Sequence, residues 1–148
     1  MIDEEKKLTQ IAIKFLNFRP RLTIEVVKRL QKVSQNDSLI NQIISKLEKS
    51  GFLNDHQFIS NYINYHAKTK IQGPYLIRTK LIRLGAKSSD IEMITKSVLD
   101  LETQISLIRQ LINKKTKEIS LDYSAKAKLI RFLSGRGFSL DIIMRVID

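Results

Sequence analysis

Gly73-Pro74-Tyr75-Leu76-Ile77-Arg78-Thr79-Lys80-Leu81-Ile82-Arg83-Leu84-Gly85 is the stretch that decides the fold. Proline directly after glycine stands where a first-turn N–H has no partner anyway, so it opens a helix instead of breaking one. Ile77, Leu81 and Leu84 then recur at spacings of four and three, which places them on one face. Gly85 is free to take the left-handed conformation that ends a helix. Upstream, Ser50-Gly51 predicts another stop of the same kind, and Asn54 or Asp55 predicts the cap of the helix that carries Phe58 and Tyr62. Downstream, Ser89-Asp90-Ile91-Glu92 has the spacing of a capping box, with Ile91, Ile94 and Val98 behind it.

The same punctuation runs through the chain. Leu8, Ile11, Ala12, Phe15 and Leu16 mark a first helix; Ile24, Val26, Val27 and Leu30 a second; Leu39, Ile40, Ile43, Ile44 and Leu47 a third. In the last part, Leu101, Ile105, Ile108 and Ile112 precede a capping Asp122 with Ala125, Leu129, Phe132 and Leu133, and Gly137 and Ser139 precede Ile142, Ile143, Val146 and Ile147. Alternating, strand-like runs are almost absent, so the expectation is an all-α chain of about nine short helices.

These helices fall into three groups. Pairing Gly85 with Gly137 brings Leu81 onto Leu133, Ile91 onto Ile143 and Ile94 onto Val146, while a shift of 51 residues brings Leu30 onto Leu81 and Ile40 and Ile43 onto Ile91 and Ile94. The tetrapeptide Lys-Leu-Ile-Arg occurs at 80–83 and again at 128–131, one helical turn out of that register, so it is partly coincidence. The reading is a tandem array of three three-helix repeats, residues 1–52, 53–100 and 101–148, elongated and curved. A unit of about 50 residues buries little surface alone, so neighbours must supply much of its stability.

The 148 residues include no cysteine, which excludes disulfides, thiolate metal sites and cysteine nucleophiles. His56 and His66 are ten apart with no metal-ligand spacing, and Gly135-Arg136-Gly137 does not complete a phosphate-binding fingerprint. No cofactor, metal or catalytic residue is expected, and the chain reads as a non-enzyme. The opening residues Met1 to Lys7 are too charged for a secretory signal and no apolar run suggests a membrane span, so the expectation is a cytoplasmic protein, monomeric in the simplest reading.

Charge is the informative property. Lysine and arginine number 26 against 15 aspartates and glutamates, a net charge of +11, which points to a polyanionic or acidic partner. Each proposed unit carries a similar excess, and between Asp55 and Asp90 there is no acidic residue while Lys68, Lys70, Arg78, Lys80, Arg83 and Lys87 all fall inside. Lys80, Arg83 and Lys87 are read as one stripe beside the apolar seam, with Arg78 roughly opposite. Arg29 and Lys32, and Lys128 and Arg131, occupy the related helices. Arg21 extends the candidate footprint at one end and Arg136 at the other. Tyr62, Tyr65 and Tyr75 near Lys68 and Lys70 are candidates for stacking on bases, although half-buried tyrosines with wet hydroxyls are commoner.

Gly51-Phe52-Leu53-Asn54-Asp55-His56-Gln57-Phe58 followed by Gly73-Pro74, Ile77, Leu81 and Gly85 resembles the pattern of the RecX regulatory proteins. Phe15 to Arg21 and Arg131 to Ser139 are similar to that family's first and third repeats. Asn54 stands where a second aspartate is common, and residues 64–71 hold fewer arginines than the pattern favours. The resemblance implies a modulator of the RecA recombinase that lies in the groove of the RecA filament on DNA and suppresses ATP hydrolysis, strand exchange and coprotease activity. It also implies that the basic residues named above contact RecA protein, DNA or both. Two other classes accommodate the same residues: an autonomous DNA-binding regulator using one unit as a helix-turn-helix, and a scaffold that binds other proteins through helix faces.

Overall fold

The computed structural model describes residues 2–116 and 122–147, so the outer limits of the first and third units, Met1 and Asp148, lie outside the described residues. Among the described residues there are nine α-helices and no strand: α1 (Ile2–Phe18), α2 (Thr23–Gln31), α3 (Asp37–Lys49), α4 (Asp55–Asn64), α5 (Pro74–Leu84), α6 (Ser88–Val98), α7 (Leu101–Lys115), α8 (Tyr123–Gly135) and α9 (Leu140–Ile147). They form three units of three. Pro74 is at the start of α5, and Gly51, Gly85 and Gly137 all have left-handed φ values, as the punctuation requires.

The internal repeat holds at the level of packing. Leu30, Leu81 and Leu133 are each fully buried, and so are Ile40, Ile91 and Ile143 at the next equivalent position. Each set anchors the second and third helices of its unit. Burying a leucine or isoleucine side chain contributes about 1.5–3 kcal/mol, so each of these six positions is a sizeable single contribution to the core.

Among the described residues, however, there are two cores. Leu8, Ala12, Val26, Leu30, Ile40, Ile43, Ile44, Leu47 and Leu53 form one cluster in the first unit. The second and third units merge into a single cluster running from Ile59 and Ile63 through Leu81 and Ile91 to Leu107, Leu133 and Ile143. Leu22 crosses over, packing into this larger core from the start of α2. Beside it, the Thr23 backbone N–H and hydroxyl donate to Asp55 Oδ1 at 2.8 and 3.0 Å. Asp55 is therefore a tie between units; the cap of α4 is Asn54, whose side chain accepts from the Gln57 N–H at 3.0 Å. The capping box expected at Ser89 is also absent, because the N-cap of α6 lies two residues earlier, at Lys87, with no side-chain acceptor. Replacing Asp55 by alanine strands two donors and is expected to cost about 1–3 kcal/mol, measurable by urea denaturation.

The second and third units are locked by backbone. The Gly73 N–H donates to Arg136 O at 2.7 Å and the Tyr75 N–H to Gly137 O at 3.0 Å. A Cβ on Gly73 would lie 2.4 Å from the Gly137 carbonyl carbon, so only glycine permits this approach. On the facing side, α4 runs into a π-helical turn, Tyr65–Thr69. Just past the turn lies Ile71, a β-branched residue with φ +53°, a costly conformation held by burial of its side chain and by the Arg136 guanidinium, which donates to the carbonyls of Lys70 and Ile71.

Candidate polyanion interface

The candidate basic residues divide by what their charged groups touch. In the first unit, the Arg21 guanidinium lies 3.8 Å from the centre of the Phe15 ring and its Nε donates to Phe15 O at 3.4 Å. Partial burial, helped by neighbouring Arg19 and opposed by Glu25, pushes its pKa down from the usual arginine value. Arg29 is half-buried on α2 and Lys32 is exposed just past its end. In the third unit Lys128 and Arg131 are exposed on α8, while Arg136 is engaged with Lys70 and Ile71 across the joint described above.

The second unit holds the densest group. Lys80 is half-buried and its Nζ donates to Gln72 Oε1 at 3.0 Å; Arg78 donates to Ser88 Oγ at 2.9 Å; Arg83 is free in solvent. Lys87 does not continue the stripe of Lys80 and Arg83. Helix α5 ends at Leu84, Gly85 turns the chain, and Lys87 belongs to the N-terminus of α6, so a four-residue spacing across a glycine stop does not preserve a helix face. Lys68 and Lys70 are exposed on and after the π-helical turn. Asp100 feels Lys68: its carboxyl is held below the usual range, chiefly by hydrogen bonds from Thr103 and secondarily by that lysine.

The rings sort themselves in the same way. Tyr62 is stacked on Phe58 at 6.2 Å and on His66 at 4.1 Å, so part of its ring is already engaged, and burial raises its hydroxyl pKa. Tyr65 and Tyr75 are half exposed or more. The His66 imidazole, with Tyr65 against its edge, has its pKa lowered by burial and by Lys80 and Lys70, against a raising hydrogen bond with Gln72.

Direct ion pairs, among the described residues, are confined to one end. Among the described residues, ion pairs join Arg19 to Glu25 and Lys46 to Glu5, both in the first unit. The cations of the second and third units have no ion-paired carboxylate among the described residues and present net positive potential to solvent. Gln72, which orients Lys80, and Lys114 and Lys115 at the end of α7 escaped the sequence reading, because their neighbours come from distant segments. No group of three or more acidic or histidine residues is arranged to hold a metal, and no helix is long and apolar enough to cross a membrane, among the described residues.

Comparison with known proteins gives this surface a setting. The family model described as RecX, third three-helix domain, matches residues 102–147, which coincide with α7 to α9. The chain is 34% identical over 148 residues to the regulatory protein RecX of Geobacillus kaustophilus, an alignment covering 98% of this chain and 54% of that protein. The crystal structure of RecX from Lactobacillus salivarius superposes with a TM-score of 0.83 at 25% identity, covering 99% of this chain and 96% of that one. The chain belongs to the RecX family. A RecX protein of Streptococcus agalactiae is 30% identical over 155 residues, 99% of this chain and 59% of its own. The chain thus spans about half the length of the curated RecX relatives it matches. Its relatives are named regulatory proteins, which supports a regulatory role for RecX chains of this kind.

Proposed function

We propose that this chain binds RecA nucleoprotein filaments and inhibits the recombinase, suppressing ATP hydrolysis, strand exchange and coprotease activity without catalysing a reaction of its own. Membership of a family of regulatory proteins supports the regulatory half. The single observation that carries the physical half is the run of cations in the second and third units that lack ion-paired carboxylates among the described residues. A filament that carries DNA phosphates and acidic protein surface attracts such a face, strongly at low salt and weakly at high salt. Lys68, Lys70, Arg83, Lys87, Lys128 and Arg131 form the exposed contact set, Lys80 is held in place by Gln72, and Arg21, Arg29 and Lys32 extend it along the first unit. Arg78 and Arg136 serve mainly by holding the surface in shape. The protein acts as a monomer in the cytoplasm.

Reversing Lys80 and Arg83 to glutamate tests this. Unit charges 4 Å apart in water interact by roughly 1 kcal/mol, so the double reversal is expected to raise the concentration for half-maximal inhibition of RecA ATPase by roughly tenfold or more. Far-UV circular dichroism is expected to stay unchanged, because neither side chain is buried in a core. Unaltered inhibition removes both residues from the contact.

A further inference from the structure

We propose that the joint between the second and third units is a phosphodiester-binding site for single-stranded nucleic acid. A cavity of about 390 Å³ opens there between the end of the π-helical turn, the last turn of α7 and α8. Thr69, Lys70, Lys114, Lys115, Phe132 and Arg136 are among the described residues that line it, and no aspartate or glutamate is among those described residues. Lys70, Lys114 and Lys115 are exposed, so their ammonium groups are hydrated and reachable. The Lys115 ammonium rests 4.2 Å from the centre of the Phe132 ring, which fixes one charge on the cavity wall. Arg136, held by the carbonyls of Lys70 and Ile71, fixes another.

Two other cavities among the described residues differ in kind. The one of about 510 Å³ beside Tyr75 and Gln104 is bordered by Glu92 as well as Arg78 and Lys96. The one of about 490 Å³ along α3 is lined by serines and amides with two lysines, of which Lys46 is already paired with Glu5. Of these three, the joint alone concentrates four cations with no acid among its described lining residues.

Nucleic acid fits this site better than an acidic peptide because of the ring next to it. Tyr65 is half exposed at the start of the π-helical turn, and the Lys70 ammonium is 5.9 Å from its ring centre, so one lysine serves both the cavity and the ring. A phosphodiester seated among the lysines places a neighbouring base against that ring, the combination of cationic groove and stacking surface that single strands favour. An acidic side chain uses the lysines and leaves the ring idle. The inference deepens the filament reading and rests on it for the choice of DNA as the polyanion.

The test is fluorescence anisotropy of labelled oligo(dT) with the full chain across a sodium chloride series, without RecA. Each phosphate contact to a single strand contributes about 0.7 to the slope of log affinity against log salt. The double variant K114Q/K115Q is therefore expected to flatten that slope by about 1.4, and K70Q by about 0.7. Y65A is expected to weaken binding about fivefold or more, the loss of one stacked base, with the slope unchanged. Slopes and affinities unaltered in all three variants overturn the site. So does displacement by polyglutamate at the same charge concentration with no effect of Y65A, which assigns the cavity to acidic protein. RecA ATPase measured on the same preparations separates the two readings: oligo(dT) binding through these lysines without ATPase inhibition supports the site and removes the filament role, whereas inhibition without such binding does the reverse.

Discussion

Gly137→Ala is expected to lower the unfolding free energy by about 2–5 kcal/mol, the sum of left-handed strain and overpacking. Gly137 has φ +101°, a conformation in which an L side chain meets its own carbonyl. The added Cβ would also fall 2.6 Å from Leu76 Cβ, 2.7 Å from the Leu76 nitrogen and 2.9 Å from Gly73 O. None of these is the tip of a flexible side chain, so relief requires the two segments to part. Parting them breaks the Gly73 N–H to Arg136 O and Tyr75 N–H to Gly137 O hydrogen bonds that close the joint. Gly135, two residues earlier in α8, has open space where its Cβ would stand. Gly135→Ala is expected to be neutral or to stabilise by up to about 1 kcal/mol through helix propensity. Urea denaturation of the pair distinguishes crowding at the joint from a general dislike of substitution in this segment, and equal midpoints would show that the joint is loose.

Leu133→Ala is expected to cost about 2–5 kcal/mol, because the side chain is fully buried and the rigid joint around it limits collapse into the cavity. Its distribution is more telling than its size. Leu133 sits in a core that also contains Ile59, Ile63, Leu107 and Leu111, from helices α4 and α7 of both units. Hydrogen exchange is expected to accelerate in α4 and α7 together, while amides of α2 and α3, which pack in the other core, keep most of their protection. Loss of protection restricted to the third unit would mean that the units are energetically separate beads.

Much of this was readable in advance, for definite physical reasons. Glycine stops, the proline start at Pro74 and helical spacing of leucine and isoleucine are local signals, and they placed Gly85 with Gly137 and Leu30 with Leu81 and Leu133 correctly. What escaped depends on contacts between distant segments. Asn54 and Asp55 both look like caps from their neighbours, and the choice between them rests on Thr23, which claims the Asp55 carboxylate and leaves capping to Asn54. Lys87 counts four residues from Arg83, yet a left-handed glycine lies between them. The merging of two units into one core follows from Gly73 meeting Gly137, an approach that a single-chain pattern does not announce. The candidate surface was legible as composition, an acid-free window of lysines and arginines. Its partition was not: Arg136 turns inward to carbonyls, Lys80 is oriented by Gln72, and Lys114 and Lys115 gain meaning only beside Lys70.

The most direct measurement is RecA ATPase activity on single-stranded DNA, titrated with this protein at fixed DNA and RecA. Inhibition complete at amounts well below one copy per RecA subunit, and relieved by added salt, is the expected result for a filament inhibitor with a basic contact face. Inhibition that begins only when enough protein is present to coat the DNA, or that is indifferent to salt, contradicts it.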